Sequence, residues 1–131
     1  MKIIPPDFHD LLADETKAFA VLGTTMDDHS PQVTPVWFNT DGEHILINSA
    51  VGRVKDRNVR ERPAVAVMIW DLAKPYRYLQ VRGMVVEITT EGADEHIHAL
   101  SRKYRGKDYE IPAGQQRVIY KIRVDAIDTM G

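Results

Sequence analysis

The chain has 131 residues, 44% hydrophobic and 27% charged, with a formal net charge of -2. This is the balance of one globular domain around one core, and it excludes a polyanion binder that spreads positive charge over its whole surface. There is no cysteine, which excludes disulfides, thiolate catalysis and cysteine-ligated metal centres and accords with a cytoplasmic protein. Met1 to Asp7 lacks an apolar signal segment, and no apolar run approaches membrane-spanning length. With no repeat, low-complexity tract or linker, residues 1–131 read as a single domain.

Pro5-Pro6-Asp7 before Phe8, Leu11 and Leu12 predicts a short helix with Asp7 at its cap. Phe19 to Thr25 is apolar and runs into the turn cluster Met26-Asp27-Asp28-His29-Ser30-Pro31. Gln32 to Phe38 carries the strand formers Val33, Val36, Trp37 and Phe38. Asn39-Thr40-Asp41-Gly42 marks a hairpin with Asp-Gly at its tip, and Glu43 to Asn48 returns as its second strand. Residues 51–61 predict a short helix stopped by Pro63. Ala64 to Trp70 is an unbroken apolar run, a buried strand, followed by the loop Asp71 to Pro75. Arg77 to Thr90 alternates through Leu79, Val81, Met84, Val86 and Ile88, with Gly83 marking a bulge or bend. Residues 92–105 form the clearest helix: Ala93, Ile97, Leu100 and Tyr104 make an apolar stripe, acids gather at its start, bases at its end, and Gly106 stops it. Arg117 to Ile127 is the last strand. Six strands in mostly hairpin order with two or three helices predict a mainly β, α+β fold, a small antiparallel barrel whose closure removes exposed edges.

Chemistry concentrates after the apolar run Ile45, Leu46 and Ile47. Asn48-Ser49-Ala50 leads into Arg53, Lys55, Arg57, Arg60 and Arg62, five cations within ten residues. Backbone N–H groups at a helix start are unpaired and favour an anion, and Arg and Lys add charge-assisted hydrogen bonds. At roughly 100° per residue, Arg53, Arg57 and Arg60 share one stripe and Val51, Val54 and Val59 lie opposite, with Lys55 and Asn58 on the valine side. A lysine among inward valines must extend to water or meet an anion, because an isolated buried charge is costly. Two readings stay open. In one, Lys55 and Asn58 reach a ligand cavity while Ser49 and the first N–H groups hold a phosphate. In the other, Lys55 extends over the rim, Asn58 caps local backbone and the arginines form a solvated face.

The remaining candidates are weaker. His96 and His98 lie two apart on a helix, which is not metal-ligand spacing, and all five histidines are expected at the surface or partly packed. No Gly-x-Ser-x-Gly and no Gly-x-Gly-x-x-Gly motif occurs. Pro35, within Thr34-Pro35-Val36-Trp37-Phe38, removes a ladder donor and marks an edge or a break; as an edge it either guards against aggregation or presents its backbone to a planar ligand. Trp70, Tyr76, Arg77 and Tyr78 cluster around a loop and suit core packing, an aromatic pocket or a dimer interface. Tyr109 and the Ile111-Pro112-Ala113-Gly114 loop are a candidate lid.

The order Pro31-Gln32-Val33-Thr34-Pro35-Val36-Trp37-Phe38, Asp41-Gly42-Glu43, Asn48-Ser49-Ala50, Gly52 to Arg60, Pro75 to Gly83 and Glu91 to Ile97 resembles the pyridoxamine-phosphate-oxidase-like, FMN-binding split β-barrel superfamily. Within it, the chain resembles the deazaflavin (coenzyme F-420)-dependent oxidoreductases. The resemblance implies a six-stranded split barrel that forms a homodimer, with cofactor sites at the subunit interface. It implies that Ser49, Arg53, Lys55, Arg57 and Asn58 hold the cofactor phosphate. Thr34, Pro35, Val36 and Trp37 would lie along the ring system, and Trp70 and the Lys74 to Tyr78 segment, Arg77 included, would come from the other subunit.

The implied activity is hydride transfer from reduced deazaflavin to an unsaturated small organic substrate. The cofactor carries the chemistry, so no protein catalytic residue and no metal is required, and a proton comes from solvent, Tyr76 or Tyr109. An FMN-dependent oxidase or reductase is the second expectation and a cofactor-binding protein without turnover the third. Pyridoxamine phosphate oxidases proper carry a substrate-binding C-terminal segment with no counterpart here, so vitamin B6 oxidation is not expected. Nucleic acid is not an expected partner, because net charge is negative and aromatics are not interleaved with the basic helix; neither is a membrane.

Overall fold

The computed structural model describes residues 3–131. Strands β1 (Phe19–Thr25), β2 (Pro31–Val36), β3 (Phe38–Thr40), β4 (Ile45–Ala50), β5 (Ala64–Trp70), β6 (Tyr78–Thr89) and β7 (Arg117–Met130) form one antiparallel sheet in the order β2-β1-β5-β6-β7-β4-β3. Helix α1 (Val54–Glu61) links β4 to β5 and α2 (Ala93–Arg105) links β6 to β7; 3-10 turns cover Pro6–Leu12 and Asp14–Thr16.

The mainly β, antiparallel expectation holds, but the sheet has seven strands and not six. The run expected as one strand, Gln32 to Phe38, breaks at Trp37. Before the break β2 pairs with β1; after it β3 pairs with β4, on the opposite end of the strand order. Strands joined through a single residue can stand at opposite ends only if the sheet curls until its edges meet there. The result is a half-barrel with Trp37 at its seam. Leu22, Phe38, Ile47, Val67, Ile69, Leu79, Val81, Tyr120 and Ile122 fill it, each fully buried.

Other local expectations are settled by backbone geometry. The first helix is 3-10, and its cap is Pro5 rather than Asp7, which lies in the first turn without a side-chain capping bond. Gly83 stands at a register shift between β6 and β7, where a Cβ would meet the Arg123 carbonyl oxygen at 1.9 Å. Only glycine permits that approach. Gly106 closes α2 in the left-handed conformation, its N–H donating to the Arg102 carbonyl. Among the described residues no helix is long and apolar enough to cross a membrane.

Candidate cofactor-binding site

Beside the seam lies a cavity of about 320 Å³. Its apolar lining comes from Phe19 and Ala20 of β1, Pro35 and Val36 of β2, and Ile97 and Leu100 of α2. The Trp37 ring stacks on Tyr104 at 5.6 Å and 10° and meets Tyr109 edge-on at 6.3 Å and 88°. The Tyr104 hydroxyl donates to the Ala18 carbonyl at 2.7 Å, and burial raises its pKa to about 12, so it stays a neutral wall.

Three cations face this space: Arg53 at the cap of α1, Lys55 in its first turn, and Arg117 at the start of β7. No aspartate or glutamate lines the cavity, and none of the ion pairs among the described residues uses these three. Burial, then repulsion from Arg53 and Arg117, holds the Lys55 pKa below the usual ammonium value. Positive charge crowded into a half-buried, aromatic-walled space is the electrostatic signature of a site for an anionic ligand.

The residues expected from the sequence divide. Pro35, Val36, Trp37, Arg53 and Lys55 are brought together at the cavity. Thr34, on the same strand, does not line it. Ser49 is fully buried and does not line it. Asn58 points elsewhere, donating to Thr24 Oγ1 at 3.0 Å and Met26 Sδ at 3.3 Å while its Oδ1 accepts from Arg62. Arg57 is exposed and lies with Asn58 beside Met26 and Asp27. Trp70 packs against Phe19 with ring centroids 5.9 Å apart, outside the cavity. Arg77 binds Asp10 through Nη1 at 3.0 Å and Nη2 at 2.8 Å, donates to the Asp7 carbonyl, and lies over the Phe8 ring. The inward valine stripe needs correction: Val59 is buried, but Val51 and Val54 are exposed. The helix begins only at Val54, so helical spacing does not extend back to Val51.

Asn48, Tyr104 and Arg117 were not among the expected site residues. Arg117 opens the otherwise apolar run Val118-Ile119-Tyr120 and is itself only 4% exposed. Its Nε donates to Asn48 Oδ1 at 2.9 Å and its Nη1 to Gln115 Oε1 at 2.8 Å. The Asn48 amide donates to the Ala93 carbonyl at 2.9 Å and to His96 Nδ1 at 3.0 Å, and His96 Nε2 reaches Asn39 Oδ1 at 2.8 Å. His96 is therefore a buried histidine, contrary to the expectation for all five. Burial, then the charge of Arg117, lowers its pKa to about 4, so the ring is neutral, with Nδ1 accepting and Nε2–H donating. A charge inside a buried strand was the available sequence signal for Arg117.

A larger groove of about 760 Å³, lined by Ile3, Ile4, His9, Thr40, His44 and Arg123 among others, offers no comparable charge. His9 bonds the Ile4 carbonyl, His44 pairs with Asp41, and Arg123 with Asp125. No group of three or more metal-binding side chains occurs among the described residues.

The family model described as pyridoxamine 5'-phosphate oxidase matches residues 6–131. Among solved structures, an F420 reductase is similar at 33% identity and a TM-score of 0.84, over 95% of this chain and 98% of that one. Protein Rv2991 from Mycobacterium tuberculosis shares the fold at 19% identity and a TM-score of 0.74, over 97% of this chain and 84% of its own. HupZ of Group A Streptococcus does so at 18% and 0.70, over 98% and 94%. No curated protein matches the chain. A family match reaching from the first 3-10 turn to the last residue, on a curled sheet shared with these structures, makes this chain a member of the pyridoxamine 5'-phosphate oxidase family, on the branch that includes an F420 reductase.

Proposed function

We propose that the protein is a deazaflavin (coenzyme F-420)-dependent oxidoreductase that acts on an unsaturated small organic substrate and works as a homodimer. The observation that carries this reading is the convergence of Arg53, Lys55 and Arg117, with no opposing carboxylate, on an aromatic-walled cavity. The similarity to an F420 reductase supports it. Deazaflavin F-420 is a planar tricycle bearing a phosphodiester and an acidic tail, so its charges answer those of the site. The cavity volume is at the small end of ligand sites, and Arg53 at the cap of α1 would answer the acidic tail.

Bound there, the reduced cofactor would supply a hydride from its C5. The chain's own residues bind and orient. Arg53 and Lys55 take the phosphate by charge-assisted hydrogen bonds. Trp37, Pro35 and Val36 flank the ring, and Phe19, Ile97 and Leu100 exclude water. Of the phenols proposed as proton donors, Tyr109 lines the cavity, whereas Tyr76 is 82% exposed and outside it.

The outward side of β2, β1 and β5 supports the dimer. Its rows read Val33–Gly23–Ala66, Pro35–Val21–Met68 and Phe19–Trp70, without a charged side chain, and Val33, Phe19 and Met68 are exposed. An uncharged, three-strand face of this kind marks an interaction surface. Phe19 and Pro35 belong both to it and to the cavity, so a second copy seated there would wall the ring from the open side and bring its own Trp70 near. FMN is the second reading, because its single phosphate also suits Arg53 and Lys55. Fluorescence titration of the apo-protein with F-420 and with FMN tests both: tighter binding of F-420 is expected, and tight FMN with no F-420 binding would reject the first reading.

A further inference from the structure

Arg117 is a buried guanidinium without a carboxylate partner. It is 4% exposed, and two of its nitrogens are committed, Nε to Asn48 and Nη1 to Gln115. Both partners are neutral and no ion pair among the described residues uses Arg117; burial lowers its pKa, and Tyr109 and the charge of Asp94 offset this only in part. The guanidinium lies over the Tyr109 ring at 5.2 Å, and the side chain lines the cavity beside the turn into α1, because Arg117 pairs with Ala50 across β4 and β7. A buried charge whose direct hydrogen-bond partners are neutral costs the fold stability that an anionic ligand would restore.

The residues that hold Arg117 are themselves fully engaged. Asn48 spends its oxygen on Arg117 and both amide hydrogens on Ala93 and His96. His96 is locked between Asn48 and Asn39. Each link has one hydrogen-bond polarity: Nε2–H to Asn39, Asn48 amide to Nδ1, Arg117 Nε–H to Asn48 oxygen. The chain of bonds ties the guanidinium to β3 through Asn39, to β4 through Asn48 and to α2 through His96. A rigidly supported guanidinium that lines a cavity is what preorganised anion binding requires.

We propose that Arg117 grips an oxyanion of the bound ligand together with Arg53 and Lys55, and that Asn48 and His96 are the positioning residues that aim it. The inference rests on the reading of the cavity as an anionic-cofactor site and adds a binding residue to it. The ligand chemistry is a phosphate or carboxylate within reach of Arg117, Arg53 and Lys55.

The test uses the full-length protein and three probes: inorganic phosphate, FMN and F-420. Arg117→Gln is expected to raise the phosphate Kd at least tenfold, and the Kd of whichever cofactor binds by as much. Arg117→Lys should recover part of this, and Arg102→Gln, whose guanidinium pairs with Asp108 away from the cavity, should change nothing. His96→Leu should weaken phosphate binding and erase the distinct Nε–H resonance of Arg117, while His96→Gln, which can accept and donate along the same chain, should restore both. Should Arg117→Gln not fold, the wild-type Nε–H resonance of Arg117 supplies the answer by shifting on phosphate addition. An unchanged Kd in Arg117→Gln, an unmoved resonance, or no phosphate binding by the wild type would each overturn the proposal. Arg117-dependent phosphate binding without affinity for either cofactor would leave it standing and reject the assigned function instead.

Discussion

Lys55 and Asn58 sit three residues apart on α1 and meet different fates. The amide of Asn58 is spent on Thr24 and Met26, whereas the ammonium of Lys55 is half-buried at a cavity beside two other cations. Lys55→Ala removes a charge that costs the fold something and offers the ligand something. It is therefore expected to weaken cofactor binding about tenfold or more while leaving the melting temperature unchanged or slightly raised. Equal cofactor affinity in fluorescence titration would reject the assignment.

His96 makes a separate prediction. Its pKa falls from 6.5 to about 4 on folding. Between those values the unfolded chain binds a proton that the folded chain does not, so stability declines as pH drops through this window, by up to about 3 kcal/mol. Denaturant unfolding at pH 7 and pH 4.5 measures the decline. His96→Gln should flatten it, and an unchanged slope in that variant would remove His96 as the cause.

The turn into α1 is held from within the barrel. Asp56 is 1% exposed and accepts from the Gly52 N–H at 3.1 Å, Arg60 Nε at 3.0 Å and the Tyr120 hydroxyl at 2.7 Å. Burial opposes its charge, but the bonds from Arg60, Tyr120 and Gly52 outweigh burial, and its pKa lies below the usual carboxylate value. This one side chain fixes where the helix starts and hence where Arg53 and Lys55 emerge. Asp56→Ala is expected to destabilise by about 3 kcal/mol or more, since it strips a buried ionic network of its acceptor; calorimetry reads the loss. The amphipathic α2 was legible in the sequence to within a residue, because its stripe, its terminal charges and Gly106 agree. The break at Trp37 was not. Pro35 signalled an edge or a break, but nothing local fixes the break at Trp37 or sends β2 and β3 to opposite ends of the sheet.

The molecule as a whole presents an uncharged face on β2, β1 and β5 that merges with the cavity through Phe19 and Pro35. On the proposed dimer, association and cofactor affinity should therefore fail together. Met68→Glu, at the centre of the face, should shift sedimentation toward the monomer and lower cofactor affinity, though Met68 does not line the cavity. A dimer of unchanged stability in that variant would place the interface elsewhere.

By itself the sequence determined the class of the fold, the hairpin at Asp41-Gly42, the bend at Gly83 and the cationic stretch after β4, because each depends on periodicity or on residues with narrow backbone preferences. It also singled out Lys55. Only the tertiary structure decided that Asn58 is used internally, that Arg77 secures the N-terminal turn, and that Arg117, 62 residues beyond Lys55 in the chain, completes the same charged cavity. Those outcomes depend on which strands the curled sheet brings side by side, a long-range property that local pattern does not encode.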